Sequence, residues 1–177
     1  MANFTERMMR AAKLDVALYE EVEADTSAMG QAMLVVVLSS LAAGIGSLNQ
    51  GGIGGLILGT LGALAGWYIW AYMTYFIGTR FLPEPQTQSD HSELLRTIGF
   101  ASSPGLIRVI GLIPGLTGIV FLIASIWMLV AMVIAVRQAL DYTSTLRAVG
   151  VCAIGWVIQL LVLMLLFAII GSPPTPA

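Results

Sequence analysis

Charged side chains are scarce in this sequence. Asp, Glu, Lys and Arg make up 10% of the 177 residues, whereas a soluble domain carries about 25%. So few charges cannot cover a water-facing surface on a chain that is 58% hydrophobic and has a mean hydropathy of +0.89. The composition therefore excludes an ordinary soluble domain and predicts an integral membrane protein with a single domain.

Other shortages exclude further classes. A single cysteine, Cys152, rules out an internal disulfide and is interpreted as a small core residue. Eight scattered Lys and Arg residues form no basic stripe, so nucleic acid is not an expected partner. The first 28 residues lack the continuous apolar core of a signal peptide.

No catalytic or ligand-binding constellation stands out either. The chain has no Ser/His/Asp set, phosphate loop or paired carboxylates within its apolar runs, so we predict neither an enzyme nor a cofactor. The only histidine, His91, lies in DHSE (90–93). Adjacent residues in one loop make a poor metal site, so we predict no metal and interpret DHSE as the capping-box start of a helix.

Residues 4–24 have apolar side chains spaced by three or four, which predicts one amphipathic helix. Its stripe consists of Phe4, Met8, Ala11, Leu14, Leu18 and Val22. The segment is too polar to span a bilayer, so it lies on the membrane surface or packs against the bundle. Asp25, Thr26 and Ser27 are candidate N-caps for the helix that follows.

The predicted fold is an all-α polytopic membrane bundle of five transmembrane helices with an amphipathic N-terminal interfacial helix. Residues 1–27 form the interfacial part, 28–171 the membrane domain and 172–177 a tail. The predicted spans are 28–48, 53–78, 98–116, 117–136 and 148–170.

The second span contains two rows of small residues four positions apart, a glycine zipper that lets helices approach closely. One row consists of Gly51, Gly55, Gly59 and Ala63, and the other of Gly62 and Gly66. Packing against the first span is the favoured interpretation because the short NQGG turn brings the two helices together, and dimerisation is the alternative. The aromatic residues of 67–76 are interpreted as an interfacial belt and core.

The third span is the uncertain one, because the apolar run in SSPGLIRVIGLIPG (102–115) is far shorter than the roughly 20 residues that a crossing needs. Residues 98–116 would reach about 28 Å as a helix. If this segment crosses, seven of the eight basic residues share one side, as cytoplasmic loops require. They are Arg7, Arg10, Lys13, Arg80, Arg96, Arg137 and Arg147. The crossing also puts Ser89 and Thr117 on opposite faces.

Three residues of this span are candidate functional or topological positions. Pro104 begins its apolar part, with Ser102 and Ser103 available to bond the backbone groups that it frees. Pro114 turns the chain into the next span. Arg108 is interpreted as an interfacial anchor that snorkels to the charged side, paired with Asp90, Glu93 or Asp141. The alternative is an arginine that contacts a transported substrate.

The pattern resembles the Yip (Ypt-interacting protein) family. The resemblance rests on GFASSPGL (99–106), the IPGL turn (113–116), the fourth span with its tryptophan, and RQALDYTSTLRAV (137–149), and it covers residues 30–170. It implies a compact five-helix membrane bundle. Eukaryotic relatives bind Rab-type GTPases, but the short N-terminal helix here resembles the prokaryotic branch, so GTPase binding is not carried over.

We therefore predict a non-catalytic scaffold or adaptor that organises membrane lipids or another membrane or cytoplasmic protein. The alternative is a small transporter or channel with Arg108 in its pathway. The expected location is a prokaryotic plasma membrane, with the N-terminus cytoplasmic and the C-terminus external. A homo-oligomer is compatible with the sequence but not implied by it.

Overall fold

The computed structural model describes residues 3–170, and every regular element in that range is helical. The predicted tail, 172–177, lies outside the described residues. In chain order the elements are α1 (Phe4–Ala12), α2 (Val16–Ala24), a 3-10 turn (Thr26–Ala28), α3 (Met29–Gly46), α4 (Leu48–Arg80), α5 (His91–Phe100), a 3-10 helix (Ser103–Leu112), α6 (Thr117–Ala139) and α7 (Thr145–Ile170). The prediction of an all-helical bundle is confirmed.

Within the described residues, four helices are long and apolar enough to cross a membrane: Thr26–Gly46, Gly54–Arg80, Thr117–Ala139 and Thr145–Val162. They agree with the predicted first, second, fourth and fifth spans to within a few residues, and α7, which contains the last of them, continues to Ile170. Their outward faces carry large apolar side chains that water would not tolerate but lipid would, such as Leu58 and Leu122, which are 71% and 62% exposed. These four helices make the chain a membrane protein.

The third predicted span is not one α-helix. Helix α5 ends at Phe100, and the chain continues as a 3-10 helix from Ser103 to Leu112. Pro104, near its start, has no N–H to donate to Phe100 O, so the α-helical ladder breaks there. A 3-10 helix rises about 2.0 Å per residue rather than about 1.5 Å, so this short segment reaches farther along the bundle than an α-helix would.

Residues 98–116, which we call the third segment, run alongside α3 and in the same direction. Gly99 lies against Ala32 near the start of α3, Gly105 against Ser39 in its middle, and the backbone of Arg108 against Gly46 at its end. Helix α6 returns antiparallel on the other side, where Thr117 Oγ1 donates to Gly111 O at 2.6 Å. The segment therefore occupies the same length of the bundle as α3 does.

The N-terminal stripe forms two helices instead of the single helix that the spacing predicts. Leu14 adopts a left-handed conformation, with φ of 63°. Asp15 then begins α2, because its carboxylate accepts a hydrogen bond from Ala17 N at 3.0 Å. Three residues of the stripe, Ala11, Leu18 and Val22, are fully buried. The helices pack against the bundle, on α5, α6 and the 3-10 helix.

Candidate functional site

Arg108 lies nearer the uncharged end of the bundle than the sequence indicated. Its carbonyl oxygen contacts the C-terminal end of α3 at Gly46, the end opposite to Arg7 and Gln31. The guanidinium donates from Nη2 to Ser125 Oγ at 3.2 Å and stands 5.4 Å from the centre of the Phe121 ring. The structure thus corrects the predicted anchor at the charged side, because the segment runs parallel to α3 and brings Arg108 level with the C-terminal end of that helix.

Arg108 also lacks the predicted carboxylate partner. None of the ion pairs among the described residues includes it, so Asp90, Glu93 and Asp141 do not neutralise its charge. Its Nε is buried and has no hydrogen-bond acceptor in the described part of the chain. A cation placed among membrane-spanning helices without a counter-charge is energetically costly, which makes Arg108 a candidate functional residue.

The guanidinium faces a cavity of about 450 Å³ between α3, α4, α6 and α7. Its walls combine apolar side chains with an unusual number of polar ones for a site between spans. The polar lining residues are Ser39, Ser40, Ser102, Arg108, Ser125 and Gln159. Trp70 also lines it, and its indole N–H is buried without an acceptor among the described residues. Sequence reasoning missed Trp70 and the serines, although serine inside an apolar run was an available signal.

The two prolines of the third segment have local roles. Ser103 Oγ donates to Phe100 O at 2.7 Å, the carbonyl that Pro104 cannot bond, so the predicted serine compensation is confirmed for Ser103. At the other end, Leu116 N donates to Ile113 O at 3.1 Å around Pro114 and Gly115. Gly115 has φ of 86°, which a type II turn requires at this position and glycine adopts freely. Pro114 therefore occupies the predicted turn.

The glycine zipper does not form the contact with the first span. An added Cβ at Gly55, Gly59, Gly62 or Gly66 would meet no atom within 4 Å, and the surroundings of Gly51 lie outside the described residues. Helices α3 and α4 instead meet where Gly44 lies against Leu56. This differs from the favoured interpretation: α4 departs from helical geometry at Gly52, where φ is 59°, and the side that it presents to α3 carries Leu56 rather than these glycines.

A second polar region, which we call the polar cap, consists of α1, α2, residues 81–90 and residues 140–144. Buried Arg7 is its centre: the guanidinium donates to Glu21 Oε1 at 2.9 Å, Asp25 Oδ2 at 2.8 Å and Gln31 Oε1 at 3.1 Å. Hydrogen bonds from Ser27 and Arg7 hold the pKa of Asp25 below its usual range. These bonds fix α1 and α2 to the start of α3.

Further bonds connect the polar cap to the rest of the bundle. Trp127 Nε1, on α6, donates to Ala12 O at 2.8 Å, and Gln138 donates to Glu20. Buried Arg96, on α5, donates to the carbonyls of Val22 and Glu23. The predicted capping box is confirmed, because Asp90 and Glu93 exchange two bonds of 2.8 Å at the start of α5.

Glu84 is a structural residue that the sequence did not reveal. From the proline-rich loop its carboxylate accepts from Thr143 N at 2.9 Å, Thr143 Oγ1 at 2.7 Å and Ser144 N at 3.3 Å, just before α7. Tyr142 OH donates to Leu82 O at 2.8 Å beside it. The PEPQTQ loop is thereby fastened to the connector between α6 and α7, 59 residues away in sequence.

We predict that Glu84 makes stability depend on pH. The bonds from Thr143 lower the pKa of Glu84 from 4.5 to about 2. Its contribution is therefore complete above pH 4.5 and is lost as the pH falls from there towards 2. Glu84→Gln should melt at a lower temperature than the native protein near neutral pH, and the two melting temperatures should converge in acid. A constant difference across this range would contradict the assignment.

Burial shifts the pKa values of Glu23, in the polar cap, and of His91, at the start of α5. Burial, reinforced by the charges of Glu20, Asp141 and Glu93, raises the pKa of Glu23 to about 8, so this carboxyl is protonated at neutral pH. Burial lowers the pKa of His91, whose ring lies edge-on to Tyr68, Tyr72 and Tyr75. His91 is thus an uncharged packing residue rather than the solvated helix cap that the sequence suggested.

The chain was also compared with known proteins. A family model described as "Yip1 domain" matches residues 17–167. That range includes α2, all four long apolar helices and the third segment with Arg108. No curated protein and no solved structure matches the chain.

Proposed function

The chain belongs to the Yip1 domain family, and we propose that it is a non-catalytic membrane scaffold or adaptor whose polar cap binds a partner protein. The observation that carries this proposal is the cap itself. Its internal bonds use Arg7, Arg10 and Glu84, while Glu6 and Lys13 remain exposed without an ion pair among the described residues. A rigid charged surface held on a membrane bundle suits a docking role.

The buried core of the cap decides how this proposal is tested. Removing residues 1–24 would also remove Leu18, Tyr19 and Val22, which are fully buried. The deletion would therefore unfold the protein in addition to removing the docking surface. Charge reversal of exposed residues avoids this problem. We expect Glu6→Lys with Lys13→Glu to lower several-fold the amount of partner captured in mild detergent, measured by mass spectrometry against the native protein. Gly118→Ala, at the uncharged end, is the control.

If capture is unchanged by the charge reversal, or falls equally in the Gly118→Ala control, the cap is not the docking surface. A native protein that captures no partner at a constant ratio would contradict the scaffold function itself.

We further propose five membrane crossings, in a prokaryotic plasma membrane, with the N-terminus cytoplasmic and the C-terminus external. The proposal is supported by the third segment, which follows α3 from Ala32 to Gly46 and so covers the same depth. With five crossings, four spans precede the connector before α7, so the chain has returned to the side of the N-terminus when it reaches the connector. The polar cap and the connector then lie together on the side rich in Lys and Arg.

Cysteine labelling tests the topology, because five crossings place Ser89 and Thr117 on opposite faces of the membrane. Because Thr117 Oγ1 bonds Gly111 O, we replace its exposed neighbour Leu116 instead, and use Ser89→Cys with Leu116→Cys, each in a Cys152→Ala background. An impermeant maleimide should label Ser89→Cys only from the cytoplasmic side and Leu116→Cys only from outside. Labelling of both from one side would exclude five crossings.

A second candidate function is a small transporter or channel with Arg108 in its pathway. The cavity at Arg108, with its serine hydroxyls, favours it. Flux of ions or metabolites in proteoliposomes that disappears in Arg108→Ala would support this function, and absence of flux from a broad panel of solutes would reject it.

A further inference from the structure

The cavity at Arg108 does not stand alone. An apolar groove of about 620 Å³ lies between α6 and α7, on the outer surface of the bundle. The cavity and the groove share two lining residues, Leu129 and Trp156, so they lie side by side. The cavity has several polar side chains among its lining residues, whereas the groove is almost wholly apolar.

The cavity contains donors that have no acceptors. Arg108 Nε and Trp70 Nε1 are both buried and unpartnered among the described residues, and both residues line the cavity. The Arg108 guanidinium has a single hydrogen bond, to a serine hydroxyl, and no carboxylate near it. A group with negative charge and several acceptor oxygens would supply the missing counter-charge, since a guanidinium binds phosphate and carboxylate particularly well.

The groove has the shape and lining of a site for a hydrocarbon chain. Val133, Val149 and Ala153 form its walls, and it extends from Trp156 to Thr145. These eleven positions of α7 correspond to about 16 Å along the helix axis. Exposed neighbours such as Val130 and Val149, each 43% exposed, face the surface where lipid lies, so an acyl chain can enter sideways.

We propose that the cavity and the adjoining groove together bind an anionic membrane lipid, with its phosphate or carboxylate oxygens on the Arg108 guanidinium and an acyl chain along the groove. The oxyanion supplies the counter-charge that the chain itself does not provide. The proposal goes beyond the scaffold function and does not depend on it, because the site lies away from the polar cap. Binding also requires no passage of the lipid across the membrane.

The test uses the full-length protein in a neutral detergent and counts bound lipids by native mass spectrometry. Phosphatidic acid and phosphatidylcholine are offered in equal amounts. We expect one phosphatidic acid per protein, retained at least about tenfold more strongly than phosphatidylcholine, and a loss of about tenfold or more in Arg108→Gln. Arg80→Gln, which removes an exposed arginine from the charged end, should bind as the native protein does.

A second variant guards against a folding defect in Arg108→Gln. Ala153→Phe fills the groove and leaves Arg108 in place, and it should weaken phosphatidic acid binding while the melting temperature stays native. Competition then identifies the head group and its source. A long-chain fatty acid should displace phosphatidic acid, whereas inorganic phosphate at millimolar concentration should not, because it gains nothing from the groove.

Three results would overturn the proposal. Equal retention of phosphatidic acid and phosphatidylcholine would remove the requirement for an anion. Native binding in both Arg108→Gln and Ala153→Phe would exclude this site. Displacement by inorganic phosphate as effective as by the fatty acid would make it a site for free anions rather than for a lipid.

Discussion

Replacing Gly46 by alanine is expected to destabilise the bundle more than any other single methyl addition considered. Gly46 is buried at the end of α3, and an added Cβ would lie 1.9 Å from Arg108 O and 3.2 Å from the Phe121 ring. The first contact is with backbone, which cannot rotate away as a flexible side chain does. Overpacking of this kind costs about 1–3 kcal/mol and more where backbone must move. The melting temperature in detergent should fall accordingly.

Gly62→Ala is the matched control, because it adds the same methyl group to a membrane-spanning helix. No atom lies within 4 Å of its added Cβ, so the melting temperature should stay the same or rise slightly. Equal melting temperatures for Gly46→Ala and Gly62→Ala would contradict the close approach of α3 and the third segment. That approach is also the support for a third segment as deep as α3.

Removing the Arg7 side chain is expected to detach α1 from the rest of the polar cap. Arg7→Ala leaves Asp25 without its arginine and Glu21 with only the bond from Arg10. Breaking a fully buried ion pair costs about 3–5 kcal/mol. Because the side chains of Glu21 and Asp25 are 32% and 29% exposed, water compensates in part, and we expect about 2 kcal/mol.

Hydrogen exchange measured by mass spectrometry locates this loss. Amides of α1 and α2 should exchange faster in Arg7→Ala while those of α6 and α7 stay as in the native protein. Lys13→Ala, which removes an exposed cation with no ion pair among the described residues, should leave both helices protected. If α1 stays protected in Arg7→Ala, apolar contacts such as those of Ala11 hold it without the ion pairs.

Local signals in the sequence were sufficient for much of the fold. Four long apolar runs identified four helices, since hydrophobic length depends on no contact with other elements. Asp90 and Glu93 predicted the start of α5, because a capping box involves two residues only three positions apart. Ser103 was likewise within reach of the carbonyl that Pro104 leaves unbonded.

Pairings between distant segments could not be obtained in this way. Nothing near Glu84 in sequence indicates that its carboxylate accepts a hydrogen bond from Thr143 N. Nothing near Trp127 indicates that its indole N–H donates to Ala12 O. The break at Leu14 also escaped prediction, because the apolar spacing continues across it and the left-handed turn of a leucine has no sequence signature.

The sequence by itself determined that this chain is an all-helical membrane protein of the Yip1 domain family, with its charges concentrated outside the apolar spans. Only the tertiary structure decided what Arg108 faces. Its depth follows from the register of the third segment along α3, where Gly105 allows Ser39 and Met128 to approach after Pro104 has interrupted the α-helix. Composition sets which solvent a helix can enter, whereas the surroundings of one arginine depend on how several helices pack around it.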